Sequence, residues 1–216
     1  MSDMSEIVSA KRLVYIHDPL CGWCFGFSPV VQQLYDATRR RARWDILCGG
    51  MVLGDRVGPI SRLSEFLKQS LPRVEGTTGI RFGKAFTTGV LESGSLVLSS
   101  MEPSRALQAV KTLAADRALA YAVGVQRALY EQGRDVSSME VLGEIAESVR
   151  VVGFEIEYLK TETYERTIEE FKLVSDLGVT GFPTLLGFDG EEGRVFSRGW
   201  APFDPVFESV NHWLES

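Results

Sequence analysis

Two cysteines separated by two residues, Cys21-Gly22-Trp23-Cys24, stand where a short apolar run meets a helical pattern. The run before them, Leu13-Val14-Tyr15-Ile16, is typical of a buried strand. After them, apolar residues recur at helical spacing to about Thr38. A Cys-x-x-Cys at the start of a helix suits a dithiol that cycles with a disulfide, because helix-terminal amides and the helix dipole stabilise a thiolate.

Half of a zinc site is the competing interpretation of the same pair. Structural zinc takes about four ligands, and beyond the pair the chain offers only Cys48, His17 and His212. The sequence has no second Cys-x-x-Cys and no His-x-His. This shortage of ligands favours redox chemistry, and we expect neither a metal nor a bound cofactor.

Composition limits the class of protein. Of the 216 residues, 44% are hydrophobic, which is enough for a full core without disulfide staples. A net charge of −6 argues against nucleic acid as a partner, since phosphate binding needs a basic face. The N-terminus lacks the positive charge and apolar stretch of a secretory leader, and no stretch has the length and apolarity of a membrane span. We therefore expect a cytoplasmic protein that binds no membrane.

The predicted elements follow the order βαβ, a helical block, and then αββα. Strands are expected over 12–17 and 44–48, and Pro29 predicts a kink or a short first turn in the helix between them. Pro59 begins the helical block, a Gly- and Thr-rich irregular stretch follows, and apolar spacing predicts one long helix over 103–132.

The last third of the chain returns to an α/β pattern. A capping-box pair, Ser137 and Glu140, precedes a further helix, and the next helix ends at Gly178. The remaining expected elements are a strand over 184–188, a hairpin loop over 189–193, a strand over 194–198 and a helix over 203–214. This order predicts an α/β protein with a thioredoxin-like fold in two halves, 11–54 and 161–216, and an inserted helical domain, 55–160.

A second half of the site is predicted far downstream, in Val179-Thr180-Gly181-Phe182-Pro183-Thr184. A cis proline beside a dithiol turns a backbone edge toward a substrate. Cis bonds make up only about 5–6% of X-Pro bonds, so an ordinary trans proline before a strand is the alternative at this point.

The two motifs together resemble a known family. Asp18-Pro19-Leu20-Cys21-Gly22-Trp23-Cys24, a long helical insert, Gly133-Arg134-Asp135 and the Gly181-Phe182-Pro183-Thr184 turn are similar to the DsbA-like thioredoxin superfamily, above all to its cytosolic FrnE-like branch of protein disulfide isomerases. The resemblance implies that Cys21 attacks, Cys24 resolves and Pro183 is the cis proline. It also implies that Phe182 presents its backbone to the substrate.

The sequence therefore predicts a thiol–disulfide oxidoreductase/isomerase. Its expected partners are protein or peptide thiols and disulfides, with glutathione or a reductase as a further partner. We expect substrate contacts from Trp23, Thr180, Gly181 and Phe182. Two alternatives stay open: a glutathione-dependent isomerase or transferase, whose known examples place Ser at the position of Cys21, and a redox-sensing adaptor that holds a partner with the helical insert.

Neighbouring residues have two interpretations each. Asp18 either relays a proton or makes a turn, and His17 either activates Cys21 by its charge or is a hydrogen-bonded structural residue. Cys48 is expected to be a small buried hydrophobe rather than a third redox thiol. Of the motif cysteines, we expect Cys21 to be exposed and Cys24 to be shielded.

Overall fold

The computed structural model describes residues 11–216; the expectation about a leader falls on residues 1–10, which lie outside this range. Its helices and strands are β1 (Lys11–His17), α1 (Gly22–Thr38), β2 (Arg43–Cys48), β3 (Gly58–Pro59), α2 (Ser64–Thr78), α3 (Leu91–Ser93), β4 (Val97–Leu98), α4 (Met101–Leu113), α5 (Ala118–Tyr130), α6 (Met139–Ser148), α7 (Phe154–Leu159), α8 (Thr161–Asp176), β5 (Thr184–Asp189), β6 (Glu192–Arg198) and α9 (Phe203–Glu215). Three 3₁₀ turns (Gly54–Arg56, Ile60–Leu63 and Ala115–Arg117) and a π-helical segment (Ala85–Val90) occur in the middle region. No helix in the described range is long and apolar enough to cross a membrane.

A four-stranded mixed sheet, in the order β2-β1-β5-β6, forms the thioredoxin-like part of the fold. Strand β1 is parallel to β2 and antiparallel to β5, which pairs with β6 in a hairpin. Both faces of β1 are covered: Leu13 and Tyr15 join the cluster beneath α1, whereas Val14 and Ile16 pack with Val174 of α8. The predicted α/β fold with an inserted helical region is confirmed.

The prediction of one long helix over 103–132 is wrong. The chain forms two helices, α4 and α5, which are separated by an extended residue, Ala114 (φ −158°, ψ 75°), and the 3₁₀ turn at Ala115–Arg117. Apolar spacing runs through this break because α4 and α5 pack against each other, and each buries its apolar face in the same core.

The first helix runs through Pro29 without an interruption. A proline nitrogen carries no hydrogen, so the Phe25 carbonyl four residues earlier loses its helical donor. The Ser28 hydroxyl replaces it, donating to that carbonyl at 2.7 Å. A side chain next to the proline therefore satisfies the backbone group that the proline leaves free.

Two local predictions need correction. The cap of α6 is Ser138 rather than Ser137, because the Ser138 hydroxyl accepts from the Val141 amide at 3.5 Å. The hairpin loop is shorter than 189–193, since the ladder continues to the pair Asp189–Glu192. Gly190 adopts φ 59°, the left-handed conformation that allows a two-residue turn.

A buried carboxylate joins the two regions of the fold. Glu170 of α8 accepts a hydrogen bond from the Cys48 amide at the end of β2 at 2.8 Å, and it pairs with Lys111 of α4. The cluster beneath α1 also continues into α4 and α5. Because the two regions share one core, the domain limits 11–54, 55–160 and 161–216 stay a prediction.

Replacing Glu170 with Ala should lower the free energy of unfolding by about 3–5 kcal/mol, because the change leaves Lys111 and the Cys48 amide without their buried partner. Urea unfolding measures the loss. The matched control is Asp176→Ala, which removes the exposed partner of Lys172 and should cost no more than about 0.5 kcal/mol. Equal losses for the two variants would contradict the assigned role of Glu170.

Candidate active site

Cys21 caps the N-terminus of α1. Its backbone is extended, and its Sγ accepts a hydrogen bond from the Cys24 amide at 3.3 Å. A sulfur in this position lies at the positive end of the helix dipole. The predicted placement of the first cysteine at a helix start is confirmed.

Both motif cysteines are thiols, and both are more enclosed than the sequence predicts for the first of them. Cys21 is 6% exposed and Cys24 is fully buried. The expectation of an exposed Cys21 is corrected, because apolar side chains surround it and leave a small opening. Burial raises the pKa of the Cys24 thiol well above its usual value, and the hydrogen bond and charge of Cys21 raise it further. Cys24 is shielded, as predicted.

The downstream turn meets the dithiol directly. The Phe182–Pro183 peptide bond is cis, as the family resemblance implies, so the alternative of a trans proline is wrong. The Cys21 thiol donates to the Phe182 carbonyl oxygen at 3.6 Å, across 161 residues of sequence. Pro183 is buried, whereas Thr180 and Gly181 beside it are exposed.

Gly49 makes room for the Phe182 ring. A Cβ on Gly49 would lie 1.9 Å from Cζ of that ring, so any larger residue would displace it. Gly49 directly follows β2. A glycine directly after a strand was the available sign of this close approach.

The carboxylate of Asp18 holds the loop that leads to Cys21. Its Oδ1 accepts from the Leu20 amide and the Ser100 hydroxyl, both at 2.9 Å, and its Oδ2 accepts from the Met51 amide at 2.6 Å. Burial raises the pKa of this carboxyl, and the three hydrogen bonds oppose that rise. The turn interpretation of Asp18 is confirmed.

Two residues of α5 reach the same loop and were missed in the sequence. Tyr130 donates its hydroxyl to the Leu20 carbonyl at 2.5 Å, and the Gln126 amide donates to the Asp18 carbonyl at 3.4 Å. These contacts span more than 100 residues of chain. No local pattern distinguishes the two residues from other members of an amphipathic helix.

His17 and Cys48 form a buried pair behind the loop. Burial lowers the pKa of His17 to about 3, so its ring is neutral at pH 7, and the proposal that its charge activates Cys21 is wrong. Its Nε2 lies 3.7 Å from the Cys48 Sγ. Cys48 is fully buried, and burial raises the pKa of its thiol. This environment agrees with a small buried residue.

Two cavities adjoin the Cys21–Phe182 contact. The first, about 160 Å³, is almost wholly apolar; Cys21 and Trp23 line it together with Leu63, Phe66 and Leu67 of the inserted region. The second, about 340 Å³, is lined by residues of the cis-proline turn, among them Thr180, Gly181 and Phe182. Of the residues expected to contact substrate, Trp23 therefore lines the first cavity with Cys21, and Thr180, Gly181 and Phe182 line the second. Within residues 11–216, no group of three or more His, Cys, Asp and Glu side chains could hold a metal ion.

The fold has counterparts in solved structures. A Nitrosomonas europaea protein, described as a candidate protein disulfide isomerase, superposes with a TM-score of 0.81 at 23% identity, over 95% of this chain and 98% of that one. Cytosolic disulfide reductase DsbM from Pseudomonas aeruginosa superposes with a TM-score of 0.81 at 26% identity, over 94% of this chain and 98% of DsbM. The chain has a DsbA-like thioredoxin fold.

Two further solved structures share this fold. DsbM has also been solved with GSH, and that structure gives a TM-score of 0.79 at 26% identity, over 95% of this chain and 100% of DsbM. A 2-hydroxychromene-2-carboxylate isomerase shares the fold, with a TM-score of 0.59 at 18% identity over 94% of each chain. No protein-family model and no curated protein matches the sequence.

The buried His17 predicts a pH-dependent stability. Its pKa falls from 6.5 when exposed to about 3 in the fold, so the unfolded chain takes up the proton first as the pH drops. The contribution of neutral His17 to the free energy of unfolding should be fully present above about pH 6.5 and should decline toward pH 3. At pH 5 the loss should be about 2 kcal/mol.

A His17→Phe variant, which keeps a ring beside Tyr15, isolates this contribution. Urea unfolding at pH 7 and pH 5 should show a smaller decline for the variant than for the wild type. Identical declines would show that His17 is not the buried neutral group described.

Proposed function

We propose that this chain is a thiol–disulfide oxidoreductase/isomerase that acts on protein or peptide disulfides through Cys21-Gly22-Trp23-Cys24. One observation carries the proposal: the Cys21 Sγ lies between the amide at the start of α1 and the Phe182 carbonyl of the cis-proline turn. The DsbA-like fold supports it. The names of two similar proteins, a disulfide reductase and a candidate disulfide isomerase, agree with it.

The reaction has two exchange steps. The Cys21 thiolate attacks one sulfur of a substrate disulfide; a mixed disulfide forms, and the other substrate sulfur leaves as a thiolate. Cys24 then loses its proton and attacks Cys21, so that the Cys21–Cys24 disulfide forms and the second substrate sulfur leaves and takes up a proton. The substrate gains two electrons and the dithiol loses them; the reverse sequence oxidises a substrate dithiol.

The surroundings of Cys21 favour a substrate with exposed backbone and an apolar side chain near its disulfide. Thr180 and Gly181 are exposed and directly precede Phe182, whose carbonyl contacts the Cys21 thiol. The apolar cavity has room for about one large side chain and has Trp23 in its wall. Phe66, which is 66% exposed, lies at this cavity and leaves apolar surface uncovered.

Glutathione is the proposed small-molecule partner. DsbM has been solved with GSH, and a thiol of this class could return the Cys21–Cys24 disulfide to the dithiol. We also place the protein in the cytoplasm, which agrees with the cytosolic DsbM. In that compartment the glutathione pool keeps most thiols reduced.

Cysteine variants test the proposed function. Cys21→Ser should abolish insulin reduction with dithiothreitol and reactivation of scrambled ribonuclease. Cys24→Ser should retain the first attack and accumulate a mixed disulfide, which non-reducing mass spectrometry detects. The matched control is Cys48→Ala, since Cys48 is fully buried, and it should keep both activities. Activity that survives Cys21→Ser would contradict the proposal.

Phe66→Ala tests the apolar cavity as a substrate site. For peptide disulfides with a Leu or Phe next to the cysteine, KM should rise about threefold to tenfold, since truncation removes on the order of 1 kcal/mol of apolar contact. Peptides with Ser at that position should show no change. The control variant is Val152→Ala: Val152 is 88% exposed and does not line this cavity. An equal KM change for both peptides would contradict this assignment.

A glutathione-dependent isomerase or transferase is a second candidate, favoured by the DsbM structure with GSH. The intact dithiol argues against it, because such chemistry has no need of a resolving thiol. Glutathione-dependent turnover of a small molecule that survives Cys24→Ser would favour this candidate over disulfide exchange.

A further inference from the structure

Tyr15 is a buried residue of the strand that precedes the two motif cysteines. It lies on β1, with its side chain on the face that packs beneath α1. Its ring centroid is 6.0 Å from that of Phe27. Phe27 follows Cys24 by three residues in α1, so the two side chains share one helix face. The Tyr15 side chain therefore points into the region that encloses Cys24.

The hydroxyl of Tyr15 is buried without a hydrogen-bond partner in residues 11–216. An unpaired buried hydroxyl is costly, so its presence needs a reason. The Cys24 thiol, followed by the thiols of Cys21 and Cys48, acts electrostatically on this hydroxyl. Burial, followed by these sulfurs, raises the pKa of Tyr15 well above its usual value. The phenol is therefore protonated and available as a donor at neutral pH.

The other polar groups near Cys24 already have partners. The titratable groups that act on Cys24 are Cys21, Asp18, Tyr130 and Tyr15. Both carboxylate oxygens of Asp18 accept hydrogen bonds from other groups, and the Tyr130 hydroxyl donates to the Leu20 carbonyl. The Asp18 backbone lowers the pKa of the Cys24 thiol by a hydrogen bond, whereas the charge of the Asp18 carboxylate raises it. Tyr15 is left as the side-chain donor among these groups.

We propose that the Tyr15 hydroxyl donates a hydrogen bond to the Cys24 sulfur as it becomes a thiolate in the second exchange step. This assignment rests on the proposed function. Cys24 gives its proton, through solvent, to the departing substrate sulfur, and its electron pair forms the bond to Cys21. The bond between Cys21 and the substrate breaks, and its electron pair leaves with the substrate sulfur. Tyr15 keeps its own proton throughout and acts as a positioning residue for the resolving thiolate.

Tyr15→Phe, which keeps the ring and removes only the hydroxyl, tests this assignment. The protein is mixed rapidly with a peptide disulfide, and the reaction is quenched with acid at successive times. Mass spectrometry of the quenched samples then gives separate rates for formation of the mixed disulfide and for its resolution. Formation should proceed at the wild-type rate, and resolution should slow about tenfold to hundredfold, as expected for one lost hydrogen bond to a charged group. In a Cys21→Ser background, alkylation of Cys24 should require a higher pH when Tyr15 is replaced.

A matched control separates this role from general packing. Tyr121 is also buried, and its hydroxyl donates to the Leu142 carbonyl at 3.2 Å, so Tyr121→Phe removes a bond from the fold. That variant should unfold at lower urea and resolve mixed disulfides at the wild-type rate. Tyr15→Phe should unfold at the same urea concentration as the wild type or at a higher one, because it removes an unpaired buried hydroxyl.

The outcomes are distinguishable. Unchanged resolution in Tyr15→Phe, with Cys24→Ser still trapping a mixed disulfide, would overturn the role of Tyr15 and leave the proposed function standing. Equal slowing of both steps together with lower stability would also overturn it, as a purely structural effect. Activity in Cys21→Ser would instead overturn the proposed function itself.

Discussion

The carboxylate of Asp18 takes hydrogen bonds from three separate parts of the chain, and the position of the dithiol depends on them. The Leu20 amide belongs to the loop that enters α1, the Met51 amide follows β2, and the Ser100 hydroxyl lies at the start of α4. Burying a charge is costly unless hydrogen bonds compensate it. Here the same bonds also fix Cys21 at the N-terminus of α1 and connect the sheet to the inserted helices.

This arrangement gives the two cysteines different environments. Cys21 caps the helix, contacts the Phe182 carbonyl and keeps a small opening beside an apolar cavity. Cys24 lies one turn further along α1, fully buried, where burial raises its pKa. A thiol that can reach a substrate and a thiol that can reach only its neighbour are what two-step disulfide exchange requires. The inserted region lines the apolar cavity beside Cys21, and its Tyr130 holds the loop before α1 by a hydrogen bond to the Leu20 carbonyl.

Local patterns were sufficient to predict the elements that carry the site. Apolar runs mark β1 and β5, and helical spacing after the Cys-x-x-Cys marks α1. The same spacing failed at Ala114, because two helices that share a core keep their periodicity in phase across a break. The roles of Ser100 and Tyr130 could not be predicted, since each depends on a partner more than 80 residues away. The enclosure of Cys21 is likewise a tertiary effect.

The central claim is that Cys21 and Cys24 form one redox couple while Cys48 takes no part. To test this claim, the protein is equilibrated in buffers that differ in the ratio of reduced to oxidised glutathione. Acid quenching and peptide mapping of the trapped thiols then show which cysteines are joined at each ratio. The account predicts a single reversible transition in which Cys21 and Cys24 form an intramolecular disulfide and Cys48 stays a thiol at every ratio. A disulfide that includes Cys48, or no reversible disulfide between Cys21 and Cys24, would contradict it.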